Sequence, residues 1–211
     1  MDIRTQTTQD NLKKALLACM EKTPFIEVKV KDVIITSGIS SRTFYQYYKD
    51  TRDLLLTVEN EVLAAFKAAL LKDRQAVGGI DHILTQPELV KVAENISVNT
   101  IKFLLKYKKQ LEILTSDNGD IHFFNQLVAA ANEEFTIRME ELNPHYREIL
   151  AREQSLPPEM VLGIFDTNIL SVALQLIRYN DELSPAEMRR YIAAYLTRTP
   201  FQYLGLAPLD Q

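Results

Sequence analysis

Arg42, Thr43, Tyr45, Gln46, Tyr47 and Lys49 crowd into one short stretch of a 211-residue chain and combine guanidinium, hydroxyl, amide and ammonium groups. Carried on one helix face, such donors suit the base edges and phosphates of a DNA major groove. The spacing predicts that face. Phe44 and Tyr48 fall at i, i+4, so one helix can bury both and leave the polar set outside. Ser40 stands where a hydroxyl accepts a backbone N–H from the first turn of a helix. Upstream, Val30, Val33 and Ile34 follow the i, i+3, i+4 spacing of a preceding helix, and Gly38 sits where the chain must turn through a conformation other residues resist. Residues 28–55 therefore spell a helix-turn-helix. A solvated helix face without a partner has a similar composition, but the tyrosine-rich run Tyr45, Gln46, Tyr47, Tyr48 argues against that reading.

Helical periodicity surrounds the motif. A first helix is expected over residues 8–22, with Leu12, Ala15, Leu16, Cys19 and Met20 inward, ended by Thr23 and Pro24. Thr51 can cap a long helix over 52–75 whose stripe is Leu54, Leu55, Val58, Val62, Leu63, Phe66 and Leu70. Gly78 and Gly79 break it. Pro87 then suits the first turn of one helix reaching residue 116. Asp117, Asn118 and Gly119 stop that helix, and others are expected over 121–142, 145–154, 158–179 and 184–198. Alternating β-branched runs are nearly absent, so the fold class is all-α. Residues 1–55 form a three-helix N-terminal domain, and 56–211 form a larger helical one.

Charge is unevenly divided: residues 1–55 carry a net +2 and 56–211 a net −6, giving −4 overall. Only the first part can approach phosphates closely, and the motif rather than the charge carries the case for nucleic acid. The lone Cys19 excludes an internal disulfide and reads as core filler. With no apolar leader at the start, a reducing cytoplasm is expected. The apolar stretch 160–177 is interrupted by Asp166, Asn168, Ser171 and Gln175, which predicts a buried helix and no membrane span. Because 158–179 is apolar on nearly every side, it and 184–198 are expected to form a homodimer interface; a monomer whose other helices cover both faces is the alternative. His82, His122 and His145 lack metal-ligand spacing, and neither a glycine-rich phosphate loop nor a thiol pair occurs. Glu133, Glu134, Glu140 and Glu141 read as a solvated face. No catalytic set, metal or cofactor is expected.

Residues 29–54 resemble the TetR/AcrR family of bacterial transcription regulators, whose motif runs T-V-x-D-I-A-x-x-A-G-V-S-x-x-T-[LF]-Y-x-[YH]-F-x-[SND]-K-x-x-L. Here it appears, without a gap, as Lys29, Val30, Lys31, Asp32, Val33 and Ile34, then Ser37 to Ser40, then Thr43 to Thr51 and Leu54. The resemblance covers about the first 55 residues. It implies that the helix beginning at Ser41 enters the major groove, with Arg42 on guanine, Gln46 on adenine and Thr43 on a thymine methyl. Tyr45, Tyr47, Lys49 and Lys29 then meet phosphates. Two copies read a palindromic operator with half-sites roughly 34 Å apart.

Three positions depart from the motif. Lys29 replaces a capping threonine, Ile34 a small residue, and Thr51 a phosphate-holding lysine, with Arg52 as its substitute. The resemblance also implies that the larger domain binds a small, apolar or amphipathic effector. Residues interrupting its inward faces are the candidates: Asn99, Phe103, Tyr107, His122, Phe123, Gln126, Phe165, Asn168 and Ile169. The function implied is a dimeric, effector-released repressor; the alternative is a helical ligand-binding or protein-interaction module with weak or lost operator binding.

Overall fold

Local signals set the N-terminal helices. A computed structural model describes residues 3–76, 84–142, 145, 147–148, 152, 157–179 and 183–208. Helix α1 (Ile3–Met20) starts earlier than its apolar period suggests, and a 3₁₀ turn (Phe25–Glu27) leads to α2 (Val30–Ser37). Lys29 makes no side-chain cap; Asp32 takes over, accepting the Lys29 N–H at 2.9 Å. Gly38 closes α2 in the left-handed region at φ 68°, its N–H donating to the Ile34 carbonyl at 3.0 Å, a conformation glycine adopts without a steric penalty. Ser40 caps α3 (Ser41–Tyr47) by accepting the Thr43 N–H at 3.2 Å. The cap of α4 (Thr51–Ala76) falls on Asp50, which accepts the Asp53 N–H at 2.8 Å, while the Thr51 hydroxyl donates to the Val28 carbonyl instead.

The single helix expected from Pro87 to residue 116 is three: α5 (Gln86–Asn95), α6 (Val98–Lys106) and α7 (Lys108–Leu114). The first break has a cause outside the segment. Asp73, 1% exposed on α4, accepts the backbone N–H groups of Asn99 (2.7 Å) and Thr100 (2.8 Å) and the Asn99 amide (2.9 Å). A carboxylate there satisfies donors that a helix start otherwise leaves orphaned, so the chain begins a new helix at Val98. Helix α8 (Ile121–Leu142) keeps its expected span, as does α9 (Pro158–Tyr179). Helix α10 (Pro185–Thr197) opens on a reciprocal box: Ser184 accepts the Glu187 N–H, and Glu187 accepts the Ser184 N–H. A short α11 (Pro200–Tyr203) follows. The helix expected at 145–154 lies almost wholly outside the described residues.

All described regular structure is helical. The chain forms two compact units, one of residues 1–65 with 109–126, the other of 66–108 with 127–211. In the first, Leu12, Leu16, Met20, Val33, Phe44, Leu54 and Leu55 form a core joined by Leu111, Leu114 and Phe123. Two bonds lace the 109–126 segment to the α1–α2 connection: the Phe25 N–H donates to the Asn118 carbonyl (2.9 Å), and the Asn118 amide donates to the Met20 carbonyl (3.0 Å). Gly119 allows that path, since a Cβ there would lie 2.1 Å from the Leu114 carbonyl oxygen.

In the second unit α10 packs on α5, α6 and α9 around Phe66, Ile101, Leu104, Leu174, Ile177, Met188 and Ile192. Helix α9 is only partly covered, a correction to the buried helix expected: Met160 is 52% and Ile164 47% exposed. By length and composition it is apolar enough to cross a membrane, but its midpoint carries the buried Asp166.

Candidate nucleic-acid interface and apolar cavity

Helix α3 is seated by its aromatic anchors. Phe44 is fully buried and Tyr48 5% exposed, their ring centroids 5.9 Å apart. The remaining positions then point where the spacing predicts. Ser41, Arg42, Tyr45 and Gln46 are exposed, and Thr43 and Tyr47 are half-buried. Tyr45 rests edge-on against Phe44 at 5.4 Å and is 60% exposed. The Thr43 hydroxyl pairs with that of Ser40 at 2.9 Å. Lys29 and Lys49 are exposed on either side, and the Lys49 N–H donates to Asp53 at 3.0 Å. On α3 and beside it, the polar and cationic residues are thus exposed or half-buried.

Arg52 belongs to a different arrangement. Its guanidinium lies 5.7 Å over the Phe25 ring and pairs with Asp120 at the start of α8. Burial works against the Asp120 carboxylate, but the His122 N–H at 2.9 Å and the Arg52 guanidinium outweigh it and hold the pKa below the usual range. Beside this pair Glu59 is 3% exposed with Oε1 unpartnered; burial, reinforced by Asp120 and opposed by Arg52, pushes it up to about 7.

The second unit holds a small apolar cavity of about 120 Å³ among α4, α6, α8, α9 and α10, walled mostly by Phe66, Leu70, Leu104, Phe135, Phe165, Ile169 and Leu170. Five polar residues interrupt its lining, Ser97 among them. Glu134 is bound by Arg74. The Arg138 guanidinium donates to the Ile96 (3.3 Å) and Leu70 (3.4 Å) carbonyls and leaves Nε unpartnered. Thr100 Oγ1 and Asp166 Oδ2 likewise lack partners. Burial raises Asp166 to about 7, with Arg138 opposing.

Of the nine effector candidates, Phe165 and Ile169 line this cavity. Asn99 spends its amide on Asp73, Phe103 is buried between Phe66 and Tyr107 at ring distances of 5.2 and 5.0 Å, and Asn168 lines a groove between α9 and α10. His122, Phe123 and Gln126 belong to the first unit. There His122 borders a surface depression beside Arg52, Phe123 is core and Gln126 is exposed. Asp166 carried a legible signal, an acid inside an apolar run. Arg138 and Thr100 carried none, and Glu134, expected on a solvated face, is instead half-buried and paired with Arg74.

The sequence matches no protein-family model and no curated protein. Solved structures do match. A candidate TetR-family transcriptional regulator from Syntrophomonas wolfei superposes with a TM-score of 0.57 at 14% identity, covering 97% of this chain and 99% of its own. A TetR transcriptional regulator from Streptococcus agalactiae gives 0.55 at 14% identity, with 92% and 96% covered. The chain therefore has the fold of TetR-family regulators, all-α with an N-terminal helix-turn-helix.

Proposed function

We propose that the chain is a dimeric one-component transcription regulator that represses from a palindromic operator and is released by a small apolar or amphipathic effector. The exposed Arg42 and Gln46 on a helix anchored by Phe44 and Tyr48 are the observation that carries this reading. Lys29, Ser41, Thr43, Tyr45, Tyr47 and Lys49 surround them with hydroxyl and ammonium donors for phosphates. The uncovered apolar face of α9 supports a homodimer through α9 and α10, which doubles the reading head and calls for a two-fold operator. Such a regulator works in the cytoplasm.

Genomic fragments selected on the purified protein, with and without apolar effectors, test the proposal. A shared palindrome is expected, with affinity that falls steeply with salt. Enrichment of no sequence removes the regulator reading. One observation favours the alternative of a ligand-binding module with weakened operator contact: Arg52, the replacement for the missing lysine at Thr51, is already neutralised by Asp120. Binding of an apolar ligand without sequence enrichment is the outcome that selects it.

A further inference from the structure

Asp166 is the anomaly of the second unit. It is 5% exposed, lines a mainly apolar cavity that it shares with Ser97, Thr100, Glu134 and Arg138, and has Oδ2 without a hydrogen-bond donor among the described residues. A buried carboxylate oxygen without a partner is destabilising unless something from outside supplies a donor. We infer that this cavity takes a one-ring apolar molecule bearing a single protonated amine, with the ammonium donating to Asp166. The inference rests on the effector-responsive reading above and names the chemistry of its effector.

Size and charge both point there. A cavity of about 120 Å³ is comparable with apolar cavities of roughly 150 Å³ that hold one benzene ring. Acids outnumber bases around it: Asp73 and Arg74 on α4, Glu134 and Arg138 on α8, and Asp166 on α9, while the lining residues of α6 bring only hydroxyls and hydrocarbon. Arg74 is held by Glu134 and Glu141. Arg138 faces Asp73, Glu134 and Asp166 together and is tethered to two backbone carbonyls. An anion would therefore meet three carboxylates against two guanidinium groups, with only the Arg138 Nε left to donate, whereas a cation completes the balance.

Benzylamine, benzyl alcohol and benzoate share one ring and differ in head-group charge. Titrated calorimetrically into the full-length protein at pH 8, benzylamine is expected to bind at least about tenfold tighter than benzyl alcohol, the scale of one charge-assisted hydrogen bond. Benzoate is expected to bind weakest. In Asp166→Asn the amine should fall to within about twofold of the alcohol, the charge preference being gone. A second readout needs no variant: at pH 6 to 7, benzylamine binding to the unaltered protein should release a proton, seen as a dependence of the heat on buffer ionisation. Equal or tighter binding of the alcohol or benzoate, no binding by any of the three, or an amine preference that survives Asp166→Asn overturns the inference. Operator binding without ligand is measured separately, so its failure defeats the regulator reading while leaving the amine preference to stand or fall by itself.

Discussion

Arg42 and Gln46 differ from Lys49 in what they can tell apart. Arginine and glutamine can each make a bidentate pair with one base, a discrimination of about 1–3 kcal/mol apiece, whereas a lysine on phosphate holds any sequence. Replacing both Arg42 and Gln46 by alanine should therefore raise Kd for the operator about a hundredfold and barely alter binding to unrelated DNA, by the same per-contact energies. Lys49→Ala should weaken both DNAs alike and reduce the slope of log K against log salt by about 1. Competition binding over a salt series separates the two. Loss of discrimination in Lys49→Ala with none in the double variant would reverse the roles assigned to this face.

The head was legible because every signal in it is close in sequence. Gly38, the Ser40 cap and the Phe44–Tyr48 spacing act within one turn of their targets. The 86–114 region was not, since its helical period runs on while its first break comes from Asp73, whose partners lie 26 and 27 positions away. Arg52 was offered to phosphate by its place in the motif, and its partner Asp120 is 68 positions off. The cavity is assembled from side chains of several helices, so no window of sequence contains it. At Asp73 the dependence can be measured. Asp73→Ala strands two backbone donors and one amide in a buried site, a loss of about 3 kcal/mol. The urea midpoint should fall accordingly, and amides 98–101 should lose protection from hydrogen exchange. Unchanged protection at those amides would mean that α6 starts without the carboxylate.

Across the whole molecule, Glu59 and Asp166 oppose folding above neutral pH. Both are pushed by burial to about 7, far above the value of an exposed carboxyl. Between about pH 4 and 7 the folded chain thus holds protons that the unfolded chain has given up, so stability falls as pH rises through that window and levels off above it. One pKa unit corresponds to about 1.4 kcal/mol, so each group contributes on the order of a few kcal/mol. Denaturant midpoints at pH 5 and pH 8 should show the decline, and Glu59→Gln with Asp166→Asn should flatten it. The same two protons displace the molecule in an electric field. A formal charge of −4 counts both carboxyls as ionised; with each half-neutralised at pH 7, the native species migrates as about −3. Its isoelectric point should accordingly stand above the 5.5 of the amino-acid composition and fall back towards it when urea is added to the focusing gel.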